Sequence, residues 1–304
     1  MFWRGLDSFL FPIRSKTWVT ILRIGLGLQL VIYGTSLGQD WNYLFAATNQ
    51  GLVNRNLTED ILNLETPLVP RLGWLVGAGR DFGLSEEWML RLCWFGLLTA
   101  GLLLLMGWFS RPAAIAGWLL HLAARSSGGF VTYGVDQFMT IALFYLAIAP
   151  LPDRYSLDNL LSKKGGEASS RSGFQLRILQ VHLCLIYFFG GLTKCLGAGW
   201  WNGTSLWRAL TRPPFNLVSP GLLVHWSYLL PAAGIIICLL EIGYPIFIWP
   251  RLTRATLLAA ILMMHFGIGA LMGLHLFAFI MIVLNAAAFG TDLFDQRFCA
   301  ERPV

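Results

Sequence analysis

The chain of 304 residues is 56% hydrophobic and only 12% charged, with a mean hydropathy of +0.62, whereas a soluble domain carries roughly 25% charged residues. This composition excludes an ordinary water-soluble domain and identifies an integral membrane protein. The net charge of +6 does not point to nucleic acid, because the basic residues are scattered through membrane-flanking segments instead of being gathered on one face.

Crossing a hydrocarbon core of about 30 Å takes ~20 apolar helical residues. Arg4, Arg14 and Lys16 precede the first apolar run, residues 18–37, and no small-residue cleavage site follows, so this run reads as a retained span and not a removed signal peptide. A polar segment, residues 38–87, carries seven acidic residues against three arginines. Further apolar runs cover 88–108, 113–124, 137–151, 176–194, 222–249, 255–272 and 274–289. The runs 113–124 and 137–151 are short: they form either two crossings or a re-entrant pair around 126–134, and both choices return the chain to the same side. In the segment 152–175 the low-complexity piece KKGGEASSRSG, residues 163–173, is expected to be a flexible linker. Pro231 and Pro245 are expected to kink the run 222–249, as a bent packing helix in preference to a pore element. The fold class is therefore all-α, one polytopic bundle over residues 1–304 with about eight transmembrane helices and no soluble domain.

The lysines and arginines orient this bundle. With the N-terminus inside, Arg4, Arg14, Lys16, Arg111, Arg154, Lys163, Lys164, Arg171, Arg251, Arg254, Arg297 and Arg302 all fall on inner segments. The outer loop is then 38–87, the inner linker 152–175, and both termini are cytoplasmic. The triplets beginning at Asn56 and Asn202 are potential glycosylation acceptors on the outer side. The five cysteines make no CxxC pair, and a disulfide framework is not expected.

The residue that needs explaining is Lys194, which ends the run in YFFGGLTKCLGAGWW, residues 187–201, with no acidic residue beside it. A lysine at a helix end commonly snorkels to the headgroups and meets the favourable end of the macrodipole. The alternative is set by Gly190, Gly191, Gly197 and Gly199, which permit close backbone approach and turn the lysine toward the bundle. Desolvation there disfavours its charged form, and a neutral amine is a usable general base. Asp136 opens the run 137–151 at a similar depth: it is either a partner for Lys194 or a carboxylate favoured by a helix N-terminus. His265, His275, His121 and His225 fit no metal-binding spacing, so no metal is expected and hydrogen-bonded packing is their preferred reading. Arg23 and Glu241 lie inside apolar runs, and each needs a partner in the bundle or a route to the interface.

Several stretches resemble the HTTM (horizontally transferred transmembrane) domain family, which is related to vitamin K-dependent γ-glutamyl carboxylase. They are LRIGLGLQL at 22–30, TNQGLVNR at 48–55, YGVDQFMTIALFYLAIAP at 133–150 followed by YSLD at 155–158, and above all IYFFGGLTKCLGAGWWNGTSLWRAL at 186–210. The resemblance implies that Lys194 is the base that deprotonates a vitamin K-type hydroquinone, such as menaquinol, on the extracytoplasmic side. In the carboxylase, oxygen then converts the anion to an epoxide, and the strong base formed on the way acts on glutamate. Tyr187, Trp200 and Trp201 would wall the substrate, with Asp136 and His265 near it. Two departures weaken full transfer. Gly129 stands where the carboxylase has an assisting histidine, and the chain ends at Val304 without the large domain that binds a protein substrate. The same resemblance implies an alternative, a non-catalytic accessory protein assisting the maturation or export of a small secreted peptide. Either way the expected location is multi-pass in a bacterial inner (plasma) membrane, with the lipid bilayer as partner.

Overall fold

In the computed structural model, which describes residues 2–47, 52, 54–128, 132–162, 168–214 and 217–291, the described residues form helices and no strands. In chain order the helices are α1 (Phe2–Leu10), α2 (Thr17–Leu37), α3 (Trp41–Phe45), α4 (Arg55–Glu65), α5 (Leu72–Asp81), α6 (Glu86–Met106), α7 (Ser110–Ser127) and α8 (Gly134–Ile148). They continue with α9 (Leu157–Ser162), α10 (Ser170–Cys195), α11 (Ala198–Trp201), α12 (Thr204–Thr211), α13 (Pro220–His225), α14 (Leu229–Phe247), α15 (Arg251–Met272) and α16 (His275–Asn285), which runs on into a π-helical turn, Ala286–Gly290. Five helices, α2, α6, α10, α14 and α15, are long and apolar enough to cross a membrane, and α8 and the helix ending at Gly290 are shorter apolar helices. The chain is an all-α integral membrane protein.

Three local expectations change. The segment 38–87 is largely helical, holding α3, α4 and α5; α4 is started by Asn54, whose side chain accepts bonds from the Asn56 and Leu57 amides at 2.9 and 3.4 Å. The end of the polar linker is also helix: Ser169 caps α10 by accepting from the Ser172 amide at 3.1 Å, so a serine-rich stretch that reads as flexible serves as a helix start. The run 222–249 is broken into α13 and α14, and Pro231 falls in the first turn of α14, where no helical bond is lost; only Pro245 lies inside the helix. Residues 48–51 and 53 of the TNQGLVNR stretch, Gly129, linker residues 163–167, and Arg297 and Arg302 lie outside the described residues.

The contacts divide the chain into two compact units, Val19–Glu167 and the pair of segments Met1–Trp18 with Ala168–Val304. In the first unit, Arg23 is fully buried and fully engaged. Its Nε donates to Asp153 at 2.6 Å, Nη1 to the Leu104 carbonyl at 2.5 Å, and Nη2 to the Tyr155 carbonyl at 2.9 Å. The charge that looked isolated in an apolar run is thus answered by a carboxylate from the loop after α8. Asp158, in the first turn of α9, takes the Phe109 and Ser110 amides at 2.9 and 2.7 Å and so caps α7. In the second unit, the N-terminal segment is clasped to α10: Trp18 Nε1 donates to Ser172 at 3.0 Å, and Phe11 stacks on Phe174 at 4.8 Å.

Candidate functional site

The second unit carries a polar cluster where α10 packs against α14, α15 and α16. The α10–α14 contact is close because Gly191 lacks a side chain: a Cβ there would stand 2.7 Å from the Ile242 amide nitrogen. This approach brings Lys194, at the last turn of α10, onto Glu241 of α14. Their Nζ and Oε2 atoms are 2.5 Å apart, with the lysine side chain 25% exposed and the glutamate 9%. Lys194 is therefore half-buried, and its acidic partner is 47 positions away in the chain instead of beside it. Nζ also reaches the Gly190 carbonyl at 3.5 Å and stands 5.5 Å from the Trp200 ring centre. The ring is brought there by α11, which lies against α14 at Gly234, where a Cβ would collide with the Trp200 carbonyl. Trp201 is exposed, and its indole donates to the Cys195 carbonyl at 2.7 Å.

Deeper in the same unit, Tyr187, His265, Asn285 and Tyr244 form a closed network. Asn285 donates to the Tyr187 hydroxyl and to the Met281 carbonyl at 2.7 and 2.8 Å, and accepts from the Tyr244 hydroxyl at 2.7 Å. The Tyr187 oxygen, which accepts from Asn285, also forms a hydrogen bond with His265 Nε2, 2.7 Å away, whose direction is set by the imidazole tautomer. The His265 Nδ1 is buried without a hydrogen-bond partner among the described residues. Tyr187 lies two turns before Lys194 on α10, so the network and the ion pair share that helix.

Asp136 belongs to the other unit and is satisfied there. It accepts from the Tyr33 hydroxyl at 2.9 Å and from the Tyr133 amide at 3.0 Å, the second being one half of a capping box on α8. His121 Nε2 is 3.7 Å from the same carboxylate, and its Nδ1 is 3.2 Å from Thr140 Oγ1. Beside them lies a cavity of about 180 Å³ lined by Tyr33, Phe45, Arg125, Tyr133 and Asp136. Of the six residues singled out from sequence, Lys194, Tyr187, Trp200, Trp201 and His265 lie in the second unit, while Asp136 has its own set of partners. The residues the sequence reading left out of the site are Glu241, Asn285 and Tyr244. Glu241 did carry a signal, as an acid inside an apolar helix; Asn285 is marked only by being polar between apolar neighbours.

The family model of the HTTM domain matches residues 83–292, more than two thirds of the chain and all of the Lys194 cluster. The chain belongs to the HTTM domain family. Comparisons with curated proteins and with solved structures return no match. Membership in the HTTM family and the apolar helices together establish a multi-pass membrane protein.

Proposed function

We propose that this HTTM protein is a membrane enzyme that abstracts a proton from a lipophilic, weakly acidic ring compound, a menaquinol-type hydroquinone, at the extracytoplasmic end of the bundle, with Lys194 as the base. The observation that carries the reading is the 2.5 Å Lys194–Glu241 pair with one quarter of the lysine still exposed. A pair taken partly out of water can exist as two ions or, after one proton crosses from Nζ to Oε2, as a neutral amine and a neutral acid. The second form presents a lone pair on the open side of Lys194 while Glu241 stores the proton. The donor set fits an aromatic ligand: Trp200 offers a ring face beside Nζ, and the neighbouring Trp201 is exposed. The hydroquinone would supply the acidic hydroxyl and the electrons; the protein supplies the base, its proton store and the aromatic wall. Tyr187 and His265 support this arrangement from below through their own hydrogen bond.

The full-length protein in lipid nanodiscs is expected to bind and oxidise a menaquinol-type hydroquinone in air. Lys194→Ala and Lys194→Arg should lose oxidation, the second because guanidinium cannot act as a base near neutral pH. Retained oxidation in Lys194→Arg would refute the assignment. A second reading follows from the same pair: the two charges satisfy each other, which suits a clamp in a non-catalytic accessory protein for a secreted peptide. In that case wild type neither binds nor oxidises the hydroquinone, and both variants keep the cellular phenotype wherever they fold.

A further inference from the structure

The antiparallel contact that pairs Lys194 with Glu241 also brings two thiols together. Gly191 of α10 meets Ile242 of α14. One helical turn further along α10 is Cys195, and one turn back along α14 is Cys238, so the same register sets them opposite each other. The Cys238 thiol interacts with that of Cys195, and both are free. A disulfide needs Cα atoms about 4.4–6.8 Å apart, closer than the usual 8–10 Å between helix axes provides without small residues at the contact. Gly191, where a Cβ would stand 2.7 Å from the Ile242 amide nitrogen, marks such a close approach of the two helices one turn from the thiols.

We propose that Cys195 and Cys238 are a redox-active dithiol that closes into a disulfide tying the end of α10 to α14. Their environments divide the roles. Cys195 is half-buried and reachable, whereas Cys238 is 1% exposed. The oxidant is a low-molecular-weight disulfide. The Cys195 sulfur attacks it, forming a mixed disulfide and releasing one small thiol; the Cys238 sulfur then attacks Cys195, forming the protein disulfide and releasing the second. Two thiol protons and two electrons pass to the oxidant, which leaves as two thiols, and every atom is accounted for. Lys194 immediately precedes Cys195, and Glu241 is one turn beyond Cys238, so the closed bond fixes the spacing of the ion pair. The dithiol assignment stands whether or not Lys194 acts as a base.

The test uses the full chain in nanodiscs, incubated with oxidised glutathione, acid-quenched, denatured and counted with a maleimide reagent. Of the five cysteines, wild type should lose two reactive thiols while remaining monomeric, and dithiothreitol should restore both. Peptide mass spectrometry should recover the Cys195–Cys238 linked pair. Cys195→Ser should lose none, and Cys238→Ser should stop at one glutathione on Cys195. Wild type retaining all five thiols, or losing two that map to other cysteines, overturns the proposal. The linked peptide from wild type decides the matter even if a serine variant misfolds.

Discussion

Removing each partner of the Lys194–Glu241 pair in turn, and then both, separates a clamp from a catalytic group. At 2.5 Å and an effective dielectric of about 20, the two charges attract by roughly 7 kcal/mol. Desolvating each ion costs several kcal/mol, and the lysine keeps a quarter of its exposure, so the net contribution of the pair is about 1–3 kcal/mol. Lys194→Met leaves the glutamate, only 9% exposed, without its cation, and should cost about 3 kcal/mol. Glu241→Gln leaves a lysine that can extend toward water, at about 1–2 kcal/mol. The double variant, with neither charge, should lose no more than about 1 kcal/mol relative to wild type, a coupling of roughly 3–5 kcal/mol between the sites. Thermal unfolding of the full-length protein in one detergent, followed by the fluorescence of its thirteen tryptophans, reads the order: wild type, then the double variant, then Glu241→Gln, then Lys194→Met. Additive losses in the double variant would refute the pairing. If the double variant recovers stability but does not oxidise hydroquinone, the pair has a role beyond holding two helices together.

Three further outcomes follow from the geometry. Asp153→Asn removes the only carboxylate bonded to the fully buried Arg23 among the described residues; it should cost about 3–5 kcal/mol and appear as a collapse in monodisperse yield on size exclusion. Tyr187→Phe leaves His265 Nε2 and one Asn285 N–H unpaired, and should lower stability by about 1–3 kcal/mol in the same fluorescence melt. Gly191→Ala places a methyl 2.7 Å from the Ile242 amide and forces α10 away from α14. It should cost about 1–3 kcal/mol and abolish glutathione-driven closure of the Cys195–Cys238 pair, checked by the maleimide count.

Much of the bundle is legible in the sequence because apolar run length is set by bilayer thickness, a constraint that acts on composition alone. The runs at 18–37, 88–108 and 255–272 match α2, α6 and α15 within a few residues. Legibility fails where the same residue type serves two states. Ser169 and Ser170 read as linker because serine is common in linkers, yet serine is also the residue that caps a helix, and here it starts α10. Pro231 reads as a kink because proline breaks helix interiors, yet the break between α13 and α14 puts it in a first turn, where its missing N–H costs nothing. The charges show the same division. That Arg23 and Glu241 need partners follows from the cost of an isolated ion in an apolar run, but which partner depends on helix pairing and register, which no local pattern encodes.

Glu241 shows how the site draws on that register. Pro245 lies four residues after it inside α14 and has no N–H to give the Glu241 carbonyl, so the helix is locally short of one backbone bond at the residue whose side chain meets Lys194. One turn before the contact, Gly191 of α10 lets the two backbones approach. A missing side chain on one helix and a missing donor on the other fall at a single level, and the ion pair and the two thiols lie within a turn of it. Residues chosen only to pack two membrane helices would need neither a charge pair nor a proline there; a leucine-rich contact would bury more apolar surface at lower cost. That a charge pair, a proline and two thiols converge beside Trp200 at the last turn of α10 is the physical reason the proposed chemistry is placed there.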